Sequence, residues 1–142
     1  MRPGHAPLTT IFLDANVLIS AAWKEGSEIA QIWRMEGLRL VTSNYVMGEV
    51  QRNLHQISQI ERLRRLMHSV QILSFEKLPE IPHEIVLPEK DRPVLAGAIL
   101  AQADHLLSGD KRHFGPLYGK TILGVRITVP TELLDVLRLR RS

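Results

Sequence analysis

Four carboxylates spread along the 142-residue chain are the side chains best suited to do chemistry. Brought together, they would form a site made only of oxygen atoms, which suits Mg²⁺ or Mn²⁺ and does not suit zinc. A metal ion held in this way polarises a phosphodiester and lowers the pKa of a bound water. The predicted ligands are Asp14, Glu49, Asp91 and Asp110, and Asn16 is the residue predicted to orient the water.

Asp14 makes the strongest individual case. It directly follows an apolar run and must lie near the core, where an unpaired carboxylate is costly unless it is neutralised or binds a metal. Each residue also has an ordinary alternative. These are a helix N-cap for Asp14 and Asp91, a turn residue for Asp110, a solvated helix position for Glu49 and a hydrogen bond to local backbone for Asn16. The metal site is therefore predicted from the set and not from any single acid.

Apolar runs alternate with amphipathic stretches along the chain, and this alternation predicts the elements that position the acids. Strands are expected at residues 8–13, 38–42, 70–75, 105–108 and 121–129. Helices are expected at residues 15–23, 28–35, 44–55, 57–67 and 91–103, and from Pro130 onward. Prolines between residues 77 and 93 indicate an extended connection. Together these elements predict an α/β fold, with a central parallel sheet flanked by helices on both faces.

The same fold predicts where the acids meet. In an open α/β sheet, ligands bind at the carboxyl ends of the strands, where the strand order reverses. Asp14 ends the first strand, and Asp110 follows the strand at 105–108 through a tight turn, so both are expected on that edge. Asp91 begins the helix before this later strand, and Glu49 lies on the helix after the second strand. Both of these positions can overhang the same edge.

Length and composition narrow the class of protein. The chain is long enough to bury its own core, so we expect one domain over residues 1–142. It contains no cysteine, which excludes a disulfide framework, a thiolate nucleophile and Cys-based metal sites. Asp14 interrupts the first apolar run and argues against a secretory signal, and the apolar stretch 94–107 is too short to span a bilayer. We therefore expect a cytoplasmic protein with no membrane segment.

The chain is basic, with a formal charge of +3 and a pI of about 9.6. This excess permits binding to nucleic acid without requiring it. Arginines cluster at residues 62–65 and 138–141, and each cluster by itself is expected to be solvated surface. The basic residues 111–113 directly follow Asp110, where they are equally compatible with holding a phosphate backbone and with ordinary surface.

Four short motifs carry the acids in order along the chain. They are Leu13-Asp14-Ala15-Asn16-Val17-Leu18, Val46 to Val50 around Glu49, Asp91-Arg92-Pro93-Val94-Leu95, and Ala103 to Lys111 around Asp110. In order and spacing they resemble the PIN domain, the fold of many prokaryotic metal-dependent ribonucleases, including the toxins of toxin–antitoxin pairs. Ser108 stands where family members usually carry Thr, and the two residues share the hydroxyl.

The resemblance implies a parallel sheet flanked by helices and cleavage of single-stranded RNA. It also implies a Mg²⁺ or Mn²⁺ site built from Asp14, Glu49, Asp91 and Asp110. It further suggests a homodimer and, for a toxin, an antitoxin partner. The proline-rich connection before Asp91 is more typical of stand-alone members than of the compact toxins.

Three other functions match parts of the pattern. A haloacid-dehalogenase-type phosphatase also places an Asp after its first strand, but it needs a second Asp where Asn16 stands, and an amide cannot act as a general acid. A phosphoacceptor signalling domain has an acidic magnesium pocket, but it pairs two adjacent acids early and has no counterpart of Glu49. A catalytically inactive PIN-like binding module would keep the fold and lose chemistry, whereas all four expected acids are present here.

Overall fold

A six-stranded sheet forms the centre of the computed structural model, which describes residues 8–141 and the side chains up to residue 136. Its strands are β1 Thr9–Leu13, β2 Leu38–Ser43, β3 Val70–Leu73, β4 His105–Leu107, β5 Thr121–Ile122 and β6 Val125–Thr128. Their order across the sheet is β3-β2-β1-β4-β6-β5. Every neighbouring pair is parallel except β5 with β6. The predicted α/β fold with a central, mainly parallel sheet is confirmed.

Helices connect most of the strands. The α-helices are α1 Ala15–Trp23, α2 Asn44–Asn53, α3 Ile57–Met67, α4 Arg92–Leu100, α5 Lys111–Phe114 and α6 Pro130–Arg141. Shorter 3₁₀ helices cover Glu28–Arg34, Glu89–Asp91 and Gly115–Leu117. Within the described residues, no helix is both long and apolar enough to cross a membrane.

Both faces of the sheet are covered. Successive side chains of a strand point to opposite faces, yet Ile11, Phe12 and Leu13 of β1 are all fully buried. This is the pattern of parallel strands that are joined by helical crossovers. One face is approached closely by α4, because a Cβ placed on Gly97 would lie 3.3 Å from the ring of Phe12.

The strand order reverses between β1 and β4. From β1 the chain builds outward through β2 to β3, and it then returns through α4 to place β4 on the other side of β1. The backbone N–H of Asp14 donates to the carbonyl of Leu107 at 3.0 Å, so the ends of these two strands are joined directly. A reversal of this kind leaves a crevice at the carboxyl edge of the sheet. This is the edge at which the sequence predicts the acids to meet.

Several local predictions are corrected by the structure. The segment predicted as a helix at 28–35 is a 3₁₀ helix. The segment predicted as one last strand is a hairpin, in which β5 and β6 are joined by Leu123 and Gly124. Both turn residues have positive φ, 48° and 90°, as a two-residue hairpin turn requires. The helix α5 was not predicted, and α4 begins at Arg92 and ends at Leu100 instead of covering 91–103.

The arginine cluster at 62–65 is only partly solvated surface. The Arg62 side chain is 16% exposed, and it donates from Nε to the carbonyl of Ala22 at 2.9 Å and from Nη2 to that of Trp23 at 3.1 Å. These carbonyls lie in the last turn of α1, where a helix has no internal donors left. Arg62 therefore closes the end of α1, whereas the other two arginines are exposed as predicted. The side chains of the cluster at 138–141 lie outside the described residues.

The proline-rich connection is organised by one side chain. Residues 74–88 contain neither helix nor strand, so β3 ends two residues before the predicted limit at residue 75, and the predicted connection from residue 77 is confirmed as far as residue 88. The guanidinium of Arg92 donates to the carbonyls of Ile81, Pro82 and Ile85. Proline has no N–H, so this arginine supplies donors that the connection itself lacks. Because Asp91 immediately precedes Arg92, the same contacts fix the backbone beside a predicted metal ligand.

Candidate metal centre

The carboxylate of Asp14 is fixed at the carboxyl end of β1. Its Oδ1 accepts a 2.8 Å hydrogen bond from the backbone N–H of Ala15, so Asp14 does cap α1. Its Oδ2 accepts from Ser108 Oγ at 2.8 Å and from Asn16 Nδ2 at 3.0 Å. The capping role thus occupies one oxygen, and the other faces the turn that follows β4.

Burial raises the pKa of Asp14 to about 6 from its ordinary value of 3.8. Hydrogen bonds from Ser108 and from the Ala15 N–H lower this pKa in part, and the charges of Glu49 and Asp91 raise it. A buried carboxylate crowded by like charges is stabilised by a proton or by a cation. Asp14 is therefore poised to exchange a proton for a metal ion near neutral pH.

Ser108 holds the two strand ends together. It is fully buried, and its hydroxyl donates to Asp14 while accepting from the backbone N–H of Asp110 at 3.2 Å. The hydroxyl of Tyr118 donates to the carbonyl of Ser108 at 2.8 Å. Burial, together with the charges of Asp110 and Asp14, raises the pKa of Tyr118 to about 12, so the phenol remains a proton donor.

Asn16 spans the crevice from α1 to the turn after β4. Its Nδ2 donates to Asp14 and, at 3.2 Å, to Ser108 Oγ, while its Oδ1 accepts from the backbone N–H of Gly109 at 2.7 Å. A Cβ on Gly109 would lie 3.3 Å from that Oδ1, so glycine permits the close approach. The backbone contact is made across 93 residues and not at the start of its own helix. The amide of Asn16 thus positions the site, and its predicted role in orienting a water stays a prediction.

Asp91 lies at the end of the 3₁₀ turn before α4. Asp91 occupies the N-cap position of α4, as the ordinary alternative predicts, but its side chain makes no capping hydrogen bond to that helix. The turn is tied to the start of α2, because the hydroxyl of Tyr45 donates to the carbonyl of Lys90 at 2.7 Å. The buried carboxylate of Asp91 is therefore available to the crevice.

Asp91 shares the crevice with Asp110 and His113. The Nδ1 of His113 lies 2.9 Å from Asp91 Oδ2 and 2.9 Å from Asp110 Oδ2. Asp110 also caps α5, since its Oδ1 accepts from the backbone N–H of His113 at 3.1 Å. Burial raises the pKa of Asp91, the nearby His113 and Lys90 lower it, and the charges of Asp110 and Glu49 raise it again.

Glu49 approaches the crevice from α2. Its charge raises the pKa of Asp14 and of Asp91, although less than burial does. The helix that carries it begins at the edge of the sheet, where the Ser43 hydroxyl accepts from the N–H of Val46 at 3.2 Å. Among the described residues, Asp91 and Asp110 are the two acids whose carboxylates lie within reach of one ion, and the assignment of Asp14 and Glu49 to the same site stays a prediction.

The residues present fit a divalent cation. Asp91 Oδ2 is buried and has no hydrogen-bond partner among the described residues, a state that is unfavourable for a carboxylate and that a cation would relieve. Ligand atoms of Asp91, Asp110 and His113 all lie within 4.8 Å of one another. Oxygen donors of this kind suit Mg²⁺ and Mn²⁺.

Sequence reasoning missed the parts played by Ser108, Tyr118 and His113. The resemblance draws attention to the hydroxyl of Ser108, but the sequence does not predict its hydrogen bonds to Asp14 and Asp110. His113 was grouped with Lys111 as a phosphate contact or plain surface. Its spacing of three residues from Asp110 in a short helix was the one available signal, because that spacing places both on one face.

A family model described as PIN domain matches residues 10–112. The match covers more than half of the chain and includes Asp14, Glu49, Asp91 and Asp110, so the chain belongs to the PIN domain family. No curated protein matches it. PIN domains are generally nucleases and typically bind divalent metals, so the fold described above is a nuclease-type fold with a group of residues able to hold a metal ion.

Proposed function

We propose that this protein is a Mg²⁺- or Mn²⁺-dependent endoribonuclease that cleaves the phosphodiester bonds of single-stranded RNA. The observation that carries the proposal is the buried Oδ2 of Asp91, which makes no hydrogen bond to the described residues and lies among the charges of Glu49 and Asp110. Neighbouring carboxylates repel one another, and a bound cation stabilises such a cluster. We assign all four acids to the metal.

A bound divalent ion supplies Lewis acidity toward the phosphodiester and acidifies a coordinated water. The protein's own residues supply the arrangement. Ser108 and Asn16 hold the second oxygen of Asp14 in a single orientation, and Asn16 keeps the turn at Gly109 against α1. Groups held in this way before substrate binds lose little freedom during the reaction, which is a large part of how active sites work.

The RNA is held chiefly through its phosphates. Lys111 and Arg112 are exposed on α5, directly after the ligand Asp110, and so present positive charge beside the acidic crevice. His113 is the third residue of that basic run. Its side chain contacts the acids of the crevice, so it is not assigned to the RNA phosphates. Binding through phosphates predicts a steep dependence on salt, with a log–log slope of roughly −0.7 for each phosphate neutralised on a single strand.

The rival activities fit the site less well. A phosphatase of the haloacid-dehalogenase type needs a general acid where Asn16 stands, and this amide is instead committed to Asp14, Ser108 and Gly109. A phosphoacceptor domain has no use for the position of Glu49. Membership in the PIN domain family favours a nuclease over both. An inactive PIN-like binding module is the remaining alternative, and activity measurements distinguish it.

Purified protein incubated with an end-labelled single-stranded RNA tests the proposal. We expect internal cleavage with Mg²⁺ or Mn²⁺, none in chelator, and much slower cleavage of the same RNA annealed to its complement. A small phosphomonoester serves as the substrate of the phosphatase alternative. Undiminished cleavage in chelator, or faster hydrolysis of the phosphomonoester than of RNA, would overturn the proposal.

We extend the proposal to a cytoplasmic homodimer, which in a toxin–antitoxin pair would bind an antitoxin protein. Light scattering of the purified chain measures the assembly directly, and a monomer at high concentration would exclude the dimer. Induced expression in growing bacteria tests the toxin role, because a toxin arrests growth through its cleavage activity. Normal growth during expression of an active enzyme would instead identify a stand-alone ribonuclease.

A further inference from the structure

His113 enters the acidic crevice one position beyond the segment that the family model matches, which ends at residue 112. Asp110 begins α5 by accepting from the N–H of His113, and this cap places the imidazole on the same side of the short helix as the Asp110 carboxylate. The His113 side chain is 22% exposed, so it is mostly enclosed by the site.

The contacts of His113 are close without being hydrogen bonds. Nδ1 is 2.9 Å from Asp91 Oδ2 and from Asp110 Oδ2, yet Nδ1 and Asp91 Oδ2 are buried and make no hydrogen bond to any described residue. The Asp91 side chain is only 10% exposed. These contacts are ion pairs only when His113 is protonated, and both of the buried atoms lack a hydrogen bond to the described residues. A cation bound by both atoms would satisfy them with the imidazole neutral.

The three side chains are close enough to share one ion. Nδ1 lies 2.9 Å from each of the two oxygens, and the ligand atoms of Asp91, Asp110 and His113 all lie within 4.8 Å of one another. Two carboxylate oxygens and one imidazole nitrogen are a donor set that a divalent transition-metal ion accepts.

We infer that His113 is a nitrogen ligand of the metal centre and that it makes the site prefer Mn²⁺ to Mg²⁺. Mg²⁺ binds almost only oxygen, whereas Mn²⁺, a transition-metal ion, also accepts an imidazole nitrogen beside carboxylate oxygens. The inference rests on the metal site of the proposed function and deepens it by naming the ion. A site formed only by the four acids would lack this preference.

Two substitutions of His113 distinguish the loss of its nitrogen ligand from the loss of its side-chain volume. His113→Asn carries an oxygen near the position of Nδ1, and His113→Ala removes the group. The control is His68→Ala, because His68 is exposed and lies outside the site. Mn²⁺ and Mg²⁺ affinities of all four proteins are measured by titration calorimetry without RNA. We expect both His113 variants to lose at least roughly tenfold in Mn²⁺ affinity, the scale of lost support around a metal. Their Mg²⁺ affinity should change far less in His113→Asn.

Pulsed EPR of Mn²⁺ bound to the protein gives the direct signature. Wild type labelled with ¹⁵N-histidine should show a ¹⁵N coupling to the ion, His68→Ala should keep it, and both His113 variants should lose it. Bound Mn²⁺ without this coupling in wild type, or equal losses of Mg²⁺ and Mn²⁺ affinity in His113→Asn, would overturn the inference. If the inference about His113 is overturned in this way but RNA is still cleaved with Mg²⁺ or Mn²⁺, the proposed function stands and only the role of His113 is rejected. If wild type binds neither ion, the metal-dependent function and the role of His113 are both rejected.

Discussion

The two ends of the sheet carry clusters of opposite charge, and the clusters differ in which of their groups have partners within the protein. The carboxyl end holds the acidic crevice, in which Asp91 Oδ2 has no hydrogen-bond partner among the described residues. The other end holds a basic cavity of about 470 Å³, bounded by α1, α3 and the 3₁₀ helix between α1 and β2. There Glu25 lies beside both Arg62 and Arg65, and α1 carbonyls accept from Arg62.

The comparison separates a structural cluster from a functional one. In the basic cavity Arg62 and Arg65 contact Glu25, and Arg62 also donates to carbonyls of α1, so these two charges have partners within the protein. In the acidic crevice His113 is the one basic side chain in contact with Asp91 and Asp110 among the described residues, and under the proposed function a cation supplies the remaining compensation.

The strongest test of this contrast removes one acid from the crevice. Asp110→Asn should lower RNA cleavage by roughly a thousandfold, because several kcal/mol of metal-dependent stabilisation are lost. The fold should survive, since an Asn side chain can still cap α5. The matched control is Glu61→Gln, an exposed acid on α3, which should cleave at the wild-type rate. Wild-type activity in a folded Asp110→Asn would show that the crevice is not catalytic.

The next test measures how much the buried carboxylate of Asp14 lowers the free energy of unfolding of the metal-free protein. The folded pKa of Asp14, about 6, lies above its ordinary value of 3.8, so the native state binds more protons than the unfolded state between these values. Its contribution is present below about pH 4 and is lost as pH rises through 6. Two pKa units correspond to about 3 kcal/mol. In chelator, Asp14→Asn should therefore gain that much stability relative to wild type between pH 4 and pH 7.5.

Urea unfolding of both proteins at the two pH values measures this difference, because effects of other groups cancel in the comparison. Excess Mg²⁺ or Mn²⁺ should reverse the trend in wild type and have little effect on Asp14→Asn. A stability difference that is the same at both pH values and with metal would make Asp14 a purely structural cap.

A third test concerns the hydrogen bonds by which Ser108 positions the proposed metal ligands Asp14 and Asp110. Ser108→Ala removes the hydroxyl that donates to Asp14 and accepts from the Asp110 N–H, and loss of such support typically weakens metal binding by about 10–100-fold. Ser108→Thr keeps the hydroxyl and is the usual family residue, so it should bind metal like wild type. Calorimetric titration with Mn²⁺ compares the two. Equal affinities for Ser108→Ala and wild type would remove Ser108 from the site.

The smallest effect is expected at the basic end. Arg62→Ala should lower the free energy of unfolding by roughly 1–2 kcal/mol, because two carbonyls at the end of α1 lose a charged donor. Arg64→Ala, its exposed neighbour, should change stability by less than about 0.5 kcal/mol. Both variants should keep the wild-type rate per folded molecule, measured at saturating metal. A stable but inactive Arg62→Ala would assign the basic cavity to the reaction instead.

The parts of the fold that follow from local patterns were predictable from the sequence. The bounds of α1 and α3 match the prediction, and Asp14 and Asp110 reach one edge because they follow parallel strands. The hairpin at Leu123 and Gly124 was not predictable in this way. Leucine rarely adopts positive φ, so Leu123 gives no turn signal in the sequence, and the conformation accompanies the antiparallel pairing of β5 with β6 on either side of it.

The sequence was sufficient to predict the acids of the candidate site but not its histidine. Four acids in motif order indicate a cluster, but their individual contacts depend on how helices pack. His113 meets Asp91 only because α5 and the turn before α4 approach each other, and 22 residues of chain separate the two. The failure of Asp91 to cap α4 is of the same kind, since its carboxylate turns to His113 instead of to its own helix.

The pairing of β1 with β4 has a consequence for synthesis. Ser108 reaches Asp14 across 94 residues of sequence, and chains emerge from the ribosome amino end first. Strands β1, β2 and β3 are available to pair while β4 is still to be made. Asp110 is the last acid to arrive, and it joins the crevice only when β4 docks against β1. Under the proposed function, a chain assembled in this order would have no complete site until the segment through Asp110 has left the ribosome.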